Sequence, residues 1–454
     1  MQLPDGPQTP PFLQLIDWIA RPTQFLEASA KQYGDIFTAR WGGFDPFIII
    51  SNPQAIQAIL TADPKLFDSG RANGILRPLL GDSSLILLDG DRHQRQRKLV
   101  TPPFHGERMR TYGELICQIT QQTINHWSID QPFSARTSMQ AIALRVILQA
   151  VFGLAGGERF QKLEHLLSEM LDAISSPLSS SLLFYPFLQR NLGFWSPWGR
   201  FLQRQREIDS LIYAEIQERR VQADWNREDI LTLLLTAQDE AGQPMTDVEL
   251  RDELITLLVA GHETTASALT WALYWIHRLP EVHDKLRQEL ETLGDHADPT
   301  AIARLPYLNA VCQETLRIYP IALLMLPRIT KVPFKLMDYE FDANTMLSPC
   351  IYLTHQREDL YPEPKQFRPE RFLERQFSAY EYMPFGGSSR RCIGMAFAQY
   401  EMKLVLATVL SRFQLAIANR RPVQPIRRGV TLAPSQVQMV VTHQHQPTSS
   451  PVLV

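Results

Sequence analysis

A chain of 454 residues with 45 Lys plus Arg against 48 Asp plus Glu has a formal charge of -3, too close to neutral for the basic footprint that nucleic acid requires. Its 44% hydrophobic and 20% charged residues allow a large buried core and exclude disordered and fibrous classes. Typical domain sizes suggest about three domains. No Ser/Gly-rich linker or internal repeat marks a cut, so the reading is one domain over residues 1–454 with a smaller lobe.

The N-terminal stretch MQLPDGPQTPPFLQLIDWIARP is broken by prolines and charges and lacks a basic segment followed by an apolar core. This argues against a signal peptide or an integral membrane anchor. Cys117, Cys312, Cys350 and Cys392 are scattered and form no CxxC, so neither a disulfide framework nor a zinc knuckle is expected and a reducing, cytoplasmic setting is the default. Residues 35–51 read as a hairpin around Gly-Gly-Phe-Asp-Pro. From Pro53 to about Pro320, apolar residues recur every three or four positions, as in stacked amphipathic helices. The longest such segment opens at a capping box, Thr246 with Glu249, and runs from Asp247 to Arg278 before Pro280; at 1.5 Å per residue it is about 48 Å long and must cross the core. Beyond Pro320 the sequence predicts short strands (Phe334–Met337, Met346–Leu353), a Gly-rich loop, a helix from Cys392 to about Leu410, and a final β-rich segment.

Four groups of residues carry chemistry. Phe385-Gly386-Gly387-Ser388-Ser389-Arg390-Arg391-Cys392-Ile393-Gly394 delivers one cysteine to a predicted helix start, where free N–H groups and the positive dipole end favour thiolate and metal ligation. An isolated Cys beside a turn is usually only buried; Phe385, the Gly pair, Arg390 and Gly394 favour the ligand. Ala260-Gly261-His262-Glu263-Thr264-Thr265 is a polar patch in mid-helix, where Gly costs about 1 kcal/mol against Ala and buried polar groups need partners. Thr265 is expected to bond the carbonyl one turn back, and Thr264 to be kept for chemistry. His262 and Glu263 begin an HExxH-like run, but Ala266 stands at the second histidine position, which excludes that zinc helix. Glu314 and Arg317 lie i, i+3 on a helix opening at Pro306, with a further arginine in Phe367-Arg368-Pro369-Glu370-Arg371-Phe372. On the surface such a pair contributes less than about 1 kcal/mol. Finally, Arg92-His93-Gln94-Arg95-Gln96-Arg97-Lys98 sets His93 and Arg97 on one helix face, ordinarily a solvated basic stripe.

These motifs, in this order from residue 93 to 394, resemble the cytochrome P450 family. The resemblance implies a mainly α fold with a minor β lobe: a triangular helical prism whose long central helix lies over a buried haem. The α-rich lobe would hold residues 71–320 and 356–410, and the β-rich lobe 30–70, 330–355 and the C-terminal strands. It implies haem b with Cys392 as iron ligand, Phe385 packed beside it, Gly394 in the loop, and Arg390, His93 (where many relatives have Trp), Arg97 and Arg328 on the propionates. Ala260 and Gly261 would leave room over the distal face, Thr264 and Glu263 would relay protons, and Glu314, Arg317 and Arg371 would form a structural network. Ser388 departs from the family's usual Gly and implies strain if that position needs a positive φ.

The implied activity is monooxygenation, inserting one atom of O2 into a C–H bond of a hydrophobic substrate. Electrons would come from NAD(P)H through a separate ferredoxin or flavodoxin and its reductase, because no segment remains for a flavin or iron–sulfur centre. Substrate contacts by analogy are Ile75, Leu76, Leu79 and Leu80, the stretch Leu182–Phe187 with Phe184, Ala260, the run Ile321–Met325 with Ala322 and Leu323, and Val430–Leu432 with Thr431. This apolar set suits a long-chain fatty acid or a terpenoid, and the 260–265 patch is similar to bacterial, including cyanobacterial, fatty-acid hydroxylases. Arg71 or Arg77 is a candidate for a substrate carboxylate, with surface exposure as the simpler reading of both. Arg92, Arg95, Lys98 and Arg391 suit an acidic electron donor, Leu182–Leu188 a passing lipid surface. A monomer is expected. A peroxide-driven member or a non-catalytic haem sensor would have no need of the Glu263-Thr264 pair.

Overall fold

The computed structural model describes residues 3–106, 108–154, 156–175, 185, 188–294, 297–418 and 421–445. The capping box forms as the sequence predicts: Thr246 Oγ1 accepts from Glu249 N while the Glu249 carboxylate accepts from Thr246 N, and the central helix runs Asp247–Arg278. Most of its residues from Leu250 to Ile276 are buried. It packs against helix Ala135–Phe152 on one side and helix Met395–Arg412 on another. One apolar core joins these three helices to Arg108–Ile124 and Pro306–Ile318.

The minor lobe is a five-stranded sheet in the order β1 (Ile36–Ala39), β2 (Phe47–Ile50), β8 (Met346–Pro349), β5 (Arg328–Thr330), β3 (Phe67–Asp68). The hairpin pairs Ile36 with Ile50, and β8 joins β2 in parallel with Phe47 opposite Met346. β6 (Phe334–Leu336) and β7 (Tyr339–Phe341) form a separate hairpin. The C-terminal strands do not extend this sheet. β9 (Phe413–Ile417) and β12 (Gln438–Gln444) pair with β4 (Pro132–Ser134), a strand set among the helices. β10 (Pro425–Arg428) and β11 (Thr431–Pro434) form a hairpin whose Leu432 packs with Trp18, Phe37 and Leu323.

Two predicted elements end differently. The strand from Met346 stops at Pro349, because Cys350 caps a short helix Ile351–His355 with Sγ accepting from Leu353 N at 3.4 Å. The helix predicted from Cys392 begins at Met395, with Gly394 at its N-cap. Cys392 therefore sits in the turn before the helix.

Candidate active site

The cysteine loop is shaped by its backbone. Gly386 takes φ +69°, a Cβ at Gly387 would lie 2.7 Å from Leu60 Cδ1, and Cys392 N donates to Phe385 O at 2.9 Å. Ser388, the departure from the usual Gly, adopts φ +59°, the left-handed region in which a Cβ is strained. Phe385 packs on the main core. The Cys392 thiol is accessible yet recessed, and loss of hydration pushes it above the usual thiol range; the Gly394 N–H, Arg97 and Arg391 pull it back. With the helix starting three residues on, one N–H replaces the dipole assistance expected from the sequence.

Above the loop, cations converge. A cavity of about 230 Å³ is lined by His93, Arg328, Arg390, Asp89, Lys65 and Lys331 among others. Burial, then Arg390 and Arg97, lower the His93 imidazole to about 4, so it is neutral. Arg328, 4% exposed, donates to Ile59 O at 2.8 Å and lies over the Phe67 ring; burial and Arg390 lower it to about 10. Arg390 donates to Asp89 Oδ1 at 2.6 Å, and burial holds its guanidinium below the usual range. Arg97 is lowered by burial too, and neither it nor Arg328 makes an ion pair among the described residues. Of the three arginines, only Arg390 has a carboxylate partner among the described residues, Asp89. An anionic ring carrying two carboxylates beside a reachable thiol fits this donor set, which is the chemistry of haem b.

The central-helix patch is arranged differently from expectation. Thr264 Oγ1 donates to Ala260 O at 2.5 Å, the back-bond expected of Thr265. Thr265 is buried and Thr264 only half-buried, so Thr264 keeps the accessible hydroxyl. Glu263 is clamped: Arg136 Nη1 and Nη2 donate to its two oxygens at 2.7 and 3.0 Å, with Gln140 Nε2 at 3.2 Å. Its carboxylate is bound to helix Ala135–Phe152 and makes no hydrogen bond to Thr264. Ala260 is exposed, and a Cβ on Gly261 would lie 3.1 Å from Ile147. His262 is buried, with its imidazole held low by desolvation, and no group of three or more candidate metal ligands occurs among the described residues.

Beside the cysteine loop, Glu314, Arg317 and Arg371 meet in the core. Arg317 donates to both Glu314 oxygens at 2.6 and 2.9 Å, Arg371 Nε to Glu314 Oε1 at 3.1 Å, and Arg317 also to the carbonyls of His355, Pro364 and Gln366. Relative exposures are 0%, 0% and 4% for Glu314, Arg317 and Arg371, so this is no surface ion pair.

Among the candidate substrate contacts, Ile75, Leu76 and Ala322 are half-buried, while Leu79 and Leu80 are buried in the helical core. Leu323 is buried with Trp18 and Leu432, a packing position, and Thr431 is buried next to Leu432, whose N donates to Ile321 O at 2.8 Å. Phe184, with Leu182, Leu183, Pro186 and Phe187, lies outside the described residues. Arg71 donates to Asn344 Oδ1 at 2.8 Å and Arg77 pairs with Asp82 at 3.0 Å, both on the surface. Of the proposed basic patch, Arg95 is taken up by Asp239 and Glu249 and Lys98 by Glu240, leaving Arg92 and Arg391 exposed. Sequence reasoning missed Arg136 and Asp89, which spacing does not signal because each acts on a residue far along the chain.

A mainly α fold that brings a recessed thiol under buried cations and a helix with a polar, small-residue patch defines a protein built to hold an anionic metalloporphyrin. Comparison with known proteins makes this specific: the family model described as Cytochrome P450 matches residues 4–441, and the chain belongs to the cytochrome P450 family. Cytochrome P450 135B1 of Mycobacterium tuberculosis is 36% identical over 437 residues, covering 96% of this chain and 90% of its own. Cytochrome P450 138 of the same organism is 31% identical over 442 residues, covering 97% and 96%. The retinoic acid bound cyanobacterial CYP120A1 superposes with a TM-score of 0.82 at 25% identity, covering 98% of this chain and 100% of that one. The haem domain of cytochrome P450DA, at TM-score 0.85, 22% identity and 98% coverage of both chains, shares the fold. The protein is a haem monooxygenase, an oxidoreductase that uses O2 and electrons derived from NAD(P)H through redox partners. No helix among the described residues is long and apolar enough to cross a membrane.

Proposed function

We propose that the chain, as one domain, hydroxylates a long-chain fatty acid, with Cys392 as the thiolate that would ligate the haem iron and His93, Arg97, Arg328 and Arg390 as the groups that would hold its propionates. The observation that carries the cofactor assignment is the run of partly buried arginines that leads from the reachable Cys392 thiol, through Arg97, to His93, Arg390 and Arg328. When bound, thiolate-ligated haem supplies O–O cleavage and oxygen insertion into an unactivated C–H bond. The protein's part is to deliver protons and hold substrate. Thr264, with its accessible hydroxyl anchored on Ala260 O, would hold ordered water beside the bound substrate. Glu263 exchanges protons with that water only when its hold on Arg136 opens, since all four hydrogen bonds to its oxygens come from protein groups.

Support for an acid substrate comes from Arg428. It is half-buried at the end of β10 beside the Gly429–Thr431 turn, its Nε has no hydrogen-bond partner, and it makes no ion pair among the described residues. An apolar acid with its carboxylate near Arg428 and its chain against Ile75, Leu76 and Ala322 meets these features, and the structural neighbour with retinoic acid bound accommodates an apolar carboxylic acid. Electrons arrive from a ferredoxin or flavodoxin docking at Arg92 and Arg391, in a cytoplasmic monomer. Titration of the ferric protein with fatty acids of graded length, their methyl esters and terpenes tests the substrate. The expected result is a high-spin shift with the free acids that weakens with the esters and in Arg428→Leu. A shift with terpenes alone would sink the fatty-acid reading.

A further inference from the structure

Beyond the cysteine loop, the central helix holds a second polar cluster, formed by Asp252, Glu253 and Thr256. These residues grip the segment 81–89 that leads into helix Gly90–Val100. Ser83 N donates to Asp252 Oδ2 at 2.8 Å, Thr256 Oγ1 to Ser84 Oγ at 2.8 Å, and Leu85 N to Glu253 Oε1 at 2.8 Å. From the opposite side Arg390 donates to Leu85 O at 3.2 Å, Leu88 O at 2.5 Å and Asp89 Oδ1 at 2.6 Å. Leu85 therefore bridges two groups: its N–H holds Glu253 and its C=O holds Arg390.

Glu253 is 0% exposed and its Oε2 has no partner. It faces Gln96, itself buried with Nε2 unpartnered, on the helix that carries His93 and Arg97. A proton on Oε2 and rotation of the Gln96 amide turn this unsatisfied pair into an O–H donor facing a C=O acceptor. Among the described residues no cation pairs with an anion there. Asp252 and Glu249 on its own helix repel it, Arg251 is engaged by Asp252 and Asp209, Asp82 of the loop is drawn off by Arg77, and the facing helix offers the amide of Gln96.

We propose that Glu253 is a positioning residue: through Leu85 and Gln96 it sets the spacing between Arg390 and the pair His93 and Arg97, and its hold depends on keeping its proton. This rests on the reading of Arg390, His93 and Arg97 as propionate partners. Burial raises the Glu253 carboxyl to about 8, so ionisation draws water into the contact within an accessible pH range.

The test uses the haem-loaded protein and Glu253→Gln, which keeps a neutral donor and acceptor. Haem transfer to excess apomyoglobin is timed between pH about 6.5 and about 9.5. The wild type is expected to release haem several-fold faster above a midpoint near 8, and the Gln variant to show no such rise. Amide exchange of residues 81–89 should rise in the wild type relative to the variant over the same range. A flat wild-type profile, or the same rise in Glu253→Gln, overturns the proposal. Should the protein bind no haem, the propionate reading fails, and the exchange comparison still decides whether Glu253 holds the segment.

Discussion

Glu314→Gln is the perturbation whose cost follows most directly from the structure. The carboxylate accepts from Arg317 Nε and Nη2, Arg371 Nε and Arg368 N, while the two arginines are buried with relative exposures of 0% and 4%. Glutamine preserves the shape but removes the only carboxylate that pairs with either arginine among the described residues, and its NH2 faces a guanidinium. Removing one partner of a buried pair costs about 3–5 kcal/mol, because the remaining charge stays desolvated. Here two cations are left, so the upper half of that range applies. Total stability of a domain is about 5–15 kcal/mol, so the variant should be close to unfolding. Urea unfolding followed by far-UV circular dichroism, with haem absorbance in parallel, measures the loss. A cost under about 1 kcal/mol, the value of an exposed ion pair, would refute the reasoning.

Three further outcomes follow. Thr264→Val, which removes the accessible hydroxyl but keeps the shape, should lower product formed per NAD(P)H consumed by about tenfold or more and divert oxygen to peroxide; unchanged coupling removes the residue's role. Ser388→Gly should relieve the strain of φ +59° and add up to about 1 kcal/mol to unfolding stability, net of the entropy lost by glycine; a loss would show that the serine side chain supports the loop. His355 is lowered to about 3 by burial and Arg317, while its Nε2 accepts from Met383 N, so the unfolded chain binds its proton first as pH falls below 6.5. The His355 contribution is present above pH 6.5 and lost on acidification toward 3, so His355→Gln should lose less stability between pH about 7 and about 5 than the wild type. Equal losses contradict this.

Local rules made the central helix, its capping box and the 35–51 hairpin legible, because each is written in neighbouring residues. The Glu314–Arg317 pair was legible by spacing, although its depth was not: i, i+3 geometry is the same on a surface as in a core. Local rules failed where a distant partner decides. Glu263 reads as a free acid until Arg136, 127 positions away, takes both of its oxygens, and Arg390 meets Asp89 across 301 positions. The back-bond fell to Thr264 rather than Thr265, an outcome set by which side of the helix is packed. Cys350 ended a predicted strand by capping a helix with its sulfur, a role that composition does not announce.

The central claim is that Cys392 ligates the haem iron. The reduced, carbon monoxide-treated difference spectrum of the wild type and Cys392→Ser tests it most directly. The thiolate-type band is expected in the wild type, and its complete loss in the variant. Persistence of that band without the cysteine would contradict it.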